Sequence, residues 1–520
     1  MNRLIHCLLA VTLAAGQADA QRISPTVQSV YDARRVLNDA IEAMGGRAAL
    51  SGVRTYASEE IIRRTSRQQG LTPGTASVTA GYRTFALDNQ RRRIAELRLL
   101  DITGNQLWDF QTIVTPDTSV FIYWPNLTVA SSPRAAWLGD RAALTRRYLV
   151  PLLQTMDRRF SAVRALPPAT LDGRPNDVLG YGDVDGAMLT LYFDRETHLP
   201  TRLEQFLIDP ATGDSVLALA FSDYRKEGAL NLPHRVLELR PPGSETEYTV
   251  QRIAVNQPID DKAFAIPAGL VPPAAAPAAP NGVVELAKDV YLVPNQYESI
   301  FVVFDDYVLV LEGGGSNGQT SNTIDRIRAT APGKPIRYVV ATHFHNDHIG
   351  GLRNFIAEGS TIVTTKDAVG PIRALAHAPA SHLFPDTLSR APKEPVIETV
   401  DRDRVFRDAH HEVRIYQVGP SPHVAQILIA QLPKERILFE GDLLDMPDGQ
   451  PVAGGDDTRD FAAKVKALGL GFDRIVPVHG IPGPASHLAL SLQRSAARQQ
   501  CGTGERRREA CQLADTGAGR

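Results

Sequence analysis

Four residues able to ligate a metal fall within six positions of the run Thr342-His343-Phe344-His345-Asn346-Asp347-His348. Imidazole nitrogen and carboxylate oxygen are donors that borderline and hard divalent ions accept, so the run is a candidate metal centre. The apolar segment Val339-Val340-Ala341 leads into it and Ile349-Gly350-Gly351 leads out. Side chains two apart on extended backbone point the same way, which puts His343 and His345 together, while Asp347 and His348 emerge at the start of a following helix. Two adjacent groups of donor atoms are the consequence.

Three further candidates lie just beyond strand-like runs: His423 after the run ending at Val418, Asp442 after Ile437-Leu438-Phe439-Glu440-Gly441, and His479 after Ile475-Val476-Pro477-Val478. Taken singly, each histidine reads as a hydrogen-bonded loop residue. Five histidines and two carboxylates at the ends of β-rich segments read instead as ligands for a pair of divalent ions. Two ions about 3.5–4 Å apart can hold and deprotonate a bridging water, polarise a scissile carbonyl and stabilise the charge that develops on attack. Zinc lowers the pKa of a bound water to about 7. Asp347 is the candidate catalytic residue, because a carboxylate ligand there can also orient the nucleophile. Gly350, Gly351, Gly441 and Gly480 stand where close backbone approach is useful.

The elements that must hold these residues belong to a chain of 520 residues, too long for one ordinary core. Its 43 % hydrophobic and 22 % charged residues are those of a soluble globular protein, and a formal net charge of -2 leaves no basic excess for nucleic acid. The Pro/Ala-rich stretch 266–281 reads as a semi-extended linker between two parts. The first part predicts a helix over 26–44, ended by Gly45-Gly46, and a helix over 141–155 with a kink or break at Pro151. It also predicts antiparallel strands over 120–124, 188–193, 203–208, 216–221, 236–239 and 248–255. The second part predicts strands over 290–293, 300–304, 307–311, 336–341, 361–364, 414–418, 426–430, 437–440 and 474–478, with helices over 321–330 and 349–357 between them. Sheets flanked by helices are the expected packing.

His343-Phe344-His345-Asn346-Asp347-His348-Ile349-Gly350-Gly351, together with the later Phe439-Glu440-Gly441-Asp442 and Val478-His479-Gly480, resembles the signature of the metallo-β-lactamase-fold hydrolases over residues 283–484. The resemblance implies an α+β fold in which a four-layer αββα metallo-β-lactamase domain follows a mainly antiparallel β domain with helices. It implies His343, His345 and His423 on one ion, Asp347, His348 and His479 on a second, and Asp442 bridging both. Zinc is the ion implied, with iron or manganese in some branches. In the first half, the runs LYFDRETHLPTRLEQF, FSDYRKEGALNLPHRV and NQPIDDKAF resemble the sheet of lipoprotein-carrier-like domains of exported bacterial proteins.

Export is also the reading of residues 1–20: Arg3, the apolar Leu8–Ala15 and the small residues of Ala18-Asp19-Ala20 form a signal-peptide pattern. The expected organisation is a signal peptide at 1–20, a lipoprotein-carrier-like β-rich domain at 21–265, the linker at 266–281, a metallo-β-lactamase-like domain at 282–495 and a tail at 496–520. A periplasmic or secreted location follows, with no transmembrane segment, and Cys501 and Cys511 are candidates for a tail disulfide. The expected activity is hydrolysis of an ester, lactone or thioester in a small-molecule substrate by a metal-bridging hydroxide. A β-lactamase is one alternative, weakened by the lack of a carboxylate-binding lysine soon after His423. An iron-dependent sulfur dioxygenase and a nonenzymatic protein that captures a lipid or other apolar ligand on its N-terminal sheet are the others. His198 and His234 read as turn residues, Trp108, Trp124 and Trp137 as core, His377, His382, His410, His411 and His487 as structural or exposed, and 368–395 as a cover for the site.

Overall fold

The computed structural model describes residues 23–102, 106–132, 137–273, 277–279 and 282–501. The signal segment and Cys511 lie outside the described residues, as does the side chain of Cys501.

The first half is a thirteen-stranded sheet in which every neighbouring pair runs antiparallel. Its first strand, Thr55–Ser66, pairs with its last, Ser244–Val255, so the two arms of the sheet meet at its centre. Helices Pro25–Ala43 and Leu149–Arg158 lie on one face, where Val36, Leu37, Leu153 and Met156 pack with Ile62, Phe85, Leu100 and Leu191. Strands Thr55–Ser66, Ser77–Asp88 and Arg93–Ile102 had no clear apolar alternation because some of their inward residues are charged. Arg83 is buried beside Glu60, to which its Nε donates at 2.8 Å, and beside Glu96. The helix expected over 141–155 is two helices, Trp137–Thr145 and Leu149–Arg158. The break precedes Pro151, which sits in the first turn of the second helix, where a missing N–H costs nothing.

The second half carries a seven-stranded and a six-stranded sheet. Alternation along single strands divides its core in two. Leu309 and Leu311 face inward with Leu428, Ala430, Phe439 and Val476 of the other sheet. Their neighbours Val308 and Val310 face outward to Ile324, Ile327 and Phe355, and Leu438 and Ile475 face outward to Phe461 and Val465. Helices Asn317–Thr330 and Leu352–Glu358 cover one sheet and Asp456–Ala467 the other, which gives the expected αββα layers. The charged run before His410 forms a strand, Asp403–Arg407. No described helix is long and apolar enough to cross a membrane.

The two halves touch. Ala425 N donates to Leu71 O at 2.8 Å, Thr128 Oγ1 to Asp448 Oδ2 at 2.6 Å, and His382 N to Asp214 Oδ2 at 3.0 Å.

Candidate metal centre

Every candidate ligand sits where a strand of the second half ends. His343 and His345 follow Ile336–Val340, and Asp347 and His348 occupy the short helix Asn346–Ile349. His423 follows Glu412–Gln417, while Asp442 and His479 follow the parallel pair Ile437–Glu440 and Arg474–Pro477. The loops carrying the ligands are tightly seated. A Cβ on Gly350 would lie 2.4 Å from Gly315 O, and one on Gly480, at φ +130°, would lie 2.0 Å from Met446 O. Met446 N in turn donates to His479 O at 2.9 Å, fixing the last ligand's backbone.

The seven residues converge as two groups that share Asp442, with the donor atoms of each group within 4.8 Å of one another. His343, His345 and His423 form one group: His423 Nε2 lies 3.1 Å from His345 Nδ1 and 3.4 Å from His343 Nε2. Asp347, His348 and His479 form the other, with His479 Nε2 at 3.3 Å from Asp347 Oδ2. Asp442 turns one oxygen to each group. Its Oδ2 lies 3.2 Å from His423 Nε2, and its Oδ1 lies 2.8 Å from His348 Nε2 and 2.9 Å from His479 Nε2.

Outer contacts fix which nitrogen of three rings points inward. The carbonyl of Gly70 can only accept, so His345 donates to it from Nε2 at 3.0 Å and presents Nδ1 to the group. Thr342 Oγ1 donates to Glu312 Oε2 at 2.8 Å, which leaves it to accept from His343 Nδ1 at 3.1 Å. Glu312 Oε2 also accepts from His348 Nδ1 at 2.9 Å, and its Oε1 accepts from Gly313 N at 2.9 Å. Glu312 is fully buried and holds φ +87°, a left-handed conformation uncommon outside glycine. His423 Nδ1 is buried with no partner among the described residues.

Burial pushes His343 well below the usual histidine range, reinforced by the neighbouring His348 and His345, and burial next to His423 pushes His345 down to about 3. Both rings are therefore neutral, with bare nitrogens facing one another. Burial acts the same way on His348 and His479, but the carboxylates, Asp442 foremost, outweigh it and hold both well above that range. For Asp442 itself, burial is outweighed by His348 and His479, which keep it ionised. His423 Nε2 faces the bare nitrogens of His345 and His343 at 3.1 and 3.4 Å, and a single proton on it can satisfy only one of them, so a buried lone pair is left facing inward unless a cation lies among them. Nitrogen and carboxylate oxygen are the donors divalent ions take, so the donor set fits metal binding.

A cavity of about 310 Å³ opens onto this cluster. Asp347, His423, Asp442 and His479 form its floor with Gln296, Tyr297, Asn346 and Asp445, while Arg64, Ser66, Gln69, Ser77, Thr79 and Trp108 of the first half form the opposite wall. Gln69 Nε2 donates to Asp347 Oδ1 at 2.8 Å and to Asn346 Oδ1 at 2.9 Å. The turn between Thr55–Ser66 and Ser77–Asp88 therefore covers the site. The segment 368–395, expected to cover it, lines none of the cavity; its Arg353 and Asp214 contacts tie it to Leu352–Glu358 and to the start of strand Gly213–Glu227.

The remaining candidates do not join the cluster. His198 is an exposed turn residue, as expected, but His234 lies inside strand Leu230–Arg240, buried, with Nε2 2.9 Å from Glu227 Oε1. His411 is buried against Glu435. Trp124 packs with Ile113, Val120 and Phe264, whereas Trp108 is 38 % exposed in the cavity wall rather than in the core. The side chain of Trp137 is outside the described residues. Glu312, Gln69, Gly70 and Arg64 were missed. Glu312 had a signal, a carboxylate ending a strand directly before three glycines; the others had none, being far from the ligands in sequence.

Residues 292–487 match the family model described as the metallo-beta-lactamase superfamily. Among curated proteins, the chain is 23 % identical over 152 residues to a metallo-beta-lactamase type 2 of Elizabethkingia meningoseptica, a match covering 29 % of this chain and 54 % of the relative. The chain thus spans about half the length of that relative. Among solved structures, a metallo-beta-lactamase from Pontibacter korlensis shares 20 % identity at a TM-score of 0.32, over 41 % of this chain and 98 % of the other. The DIM-1 metallo-beta-lactamase shares 16 % at 0.32, over 42 % and 97 %. Through residues 292–487, the C-terminal half of this chain belongs to the metallo-beta-lactamase superfamily.

Proposed function

We propose that this chain is an exported, binuclear metal-dependent hydrolase of an ester, lactone or thioester, with zinc as the resident ion. The observation that carries the reading is the division of Asp442, whose two oxygens each face a separate group of three ligands. Divalent ions held there would supply a Lewis acid and an activated water at neutral pH. The chain's own residues have distinct parts. Asp347, held from the outside by Gln69, presents its second oxygen toward His479 and orients the nucleophile. Glu312 and Thr342 fix the rings of His348 and His343, and the wall from the first half limits access of bulk water. Support for export comes from the sequence of residues 1–20. Capture of a wholly apolar ligand is disfavoured at this cavity, because the N-terminal sheet offers it Arg64, Ser66, Gln69, Ser77 and Thr79.

The test is a metal-defined screen of mature protein against esters, lactones, thioesters, phosphodiesters and β-lactams, with Asp347→Ala and His348→Ala as controls. Zinc-dependent turnover of one of the first three, lost in both variants, is expected. Stoichiometric iron with oxygen uptake on a persulfide, or turnover confined to β-lactams, would replace the reading. No metal uptake and no turnover would end it.

A further inference from the structure

Strand register gathers a polar patch on one face of the N-terminal sheet. Arg64 stands opposite Thr79, and Ser66 opposite Ser77. Directly opposed residues of antiparallel strands share a face, as do residues two apart along one strand, so these four side chains form a block. Gly81, two residues past Thr79, stands opposite Leu100, which stands opposite Trp108. Trp108 therefore belongs to the same face. All five side chains line the cavity over the metal-ligand cluster.

Arg64, half-buried, differs from other enclosed arginines of this half. Arg83, Arg146 and Arg147 each have a carboxylate partner, but the Arg64 guanidinium makes no hydrogen bond or ion pair with any described residue. It is the one cation, histidines apart, among the described residues that line the cavity. The Asp347 carboxylate acts on this guanidinium within the same cavity but makes no direct ion pair with it, so the fork has given up solvent without a contact partner and is open to a ligand's anion. Its planar fork suits a carboxylate or phosphate oxygen pair, with hydroxyls from Ser66 and Thr79 beside it to take the remaining lone pairs. Trp108, exposed on the same face, offers an apolar surface to the body of the molecule.

We infer that Arg64, with Ser66 and Thr79, binds an anionic substituent at the non-reacting end of the substrate, whose body lies along Trp108. The inference rests on the hydrolase reading and names its substrate class: esters, lactones or thioesters that carry a carboxylate or phosphate away from the bond cut. Arg64 is then a specificity determinant supplied by the half of the chain that holds no metal ligand.

Binding separates this inference from the hydrolase reading. Calorimetry of the zinc-loaded full chain would compare 2-naphthylacetate, 2-naphthylmethyl phosphate and the uncharged 2-naphthylacetamide. At least one anion should bind ten-fold or more tightly than the amide, and which anion does so distinguishes the two sources of charge. Arg64→Ala should erase that preference while leaving amide binding unchanged, and Arg64→Lys should restore part of it. Turnover gives a second comparison: on any ester that is cleaved, Arg64→Ala should raise KM for the anionic form at least ten-fold with kcat nearly unchanged. Equal binding of acid, phosphate and amide, or a preference for the anion that persists in Arg64→Ala because the metals alone hold it, overturns the inference. Neither result bears on whether the metal site hydrolyses anything.

Discussion

The carbonyl of Gly70 accepts a hydrogen bond from His345 Nε2 at 3.0 Å across 275 residues of sequence. One half of the chain thereby fixes the ring orientation of a candidate ligand in the other. Gly70 has no room for a side chain, since a Cβ there would lie 2.2 Å from Thr75 O. Gly70→Val should displace the turn, pull the carbonyl from His345 and weaken zinc binding about ten-fold, in the range found when outer contacts of metal ligands are removed. Competition with a chromogenic chelator reads the affinity, and an unchanged far-ultraviolet spectrum shows that the fold persists. Gln69→Ala should act in the same direction through Asp347; full-strength zinc binding in both variants would show that the turn merely lies nearby.

Glu312 takes hydrogen bonds from Thr342, His348 and Gly313 while fully buried. Glu312→Ala would leave three donors buried without an acceptor, each such loss costing about 1–3 kcal/mol. The variant should melt several degrees lower by calorimetry and bind zinc about 10–100-fold more weakly. Glu312→Gln retains an acceptor oxygen and should fall between the two.

Metal removal should destabilise the folded chain. An ion that binds only the folded state at a free concentration 100 times its Kd adds about 2.7 kcal/mol. Melting with zinc and after chelation should therefore differ by several degrees. Asp442→Ala removes the carboxylate common to both ligand groups, so the zinc-dependent shift should shrink toward zero, and elemental analysis should find less metal per chain.

Arg353 and Asp386 provide a pH-dependent contribution away from the cavity. Arg353 is buried, its Nε 2.6 Å and Nη2 3.1 Å from the two Asp386 oxygens. Burial alone would raise Asp386, but hydrogen bonds from Arg353 and Ser389 outweigh it and hold the carboxyl well below its usual range. A depressed folded pKa contributes stability above the unfolded value of about 3.9, and that contribution is lost as the pH falls below it toward the folded pKa. Asp386→Asn should lower stability by about 3 kcal/mol near neutrality, because it leaves a buried guanidinium unpaired. The gap from the parent should narrow below about pH 4 in denaturant titrations. A constant gap across that range would place the effect in packing instead.

The seven clustered residues were legible in the sequence because each follows a short apolar strand, and strand ends brought together by parallel pairing place their loops side by side. Most strands of the second half were legible for the same reason: their buried runs are uninterrupted. Several strands of the first half were not, since Glu60, Arg83 and Glu96 point inward where apolar residues were expected, and their burial depends on partners contributed by other strands. The cover over the metal centre was likewise out of reach. Gln69 and Gly70 meet Asp347 and His345 only after two separately patterned halves have packed together, and no local periodicity encodes a contact between them. The sequence determined the donor chemistry, which depends on residue type and local spacing. Tertiary structure alone decided which nitrogens face inward and which wall closes the cavity, because both depend on hydrogen bonds that only packing brings together, from Glu312 to His348 across 36 positions and from Gly70 to His345 across 275.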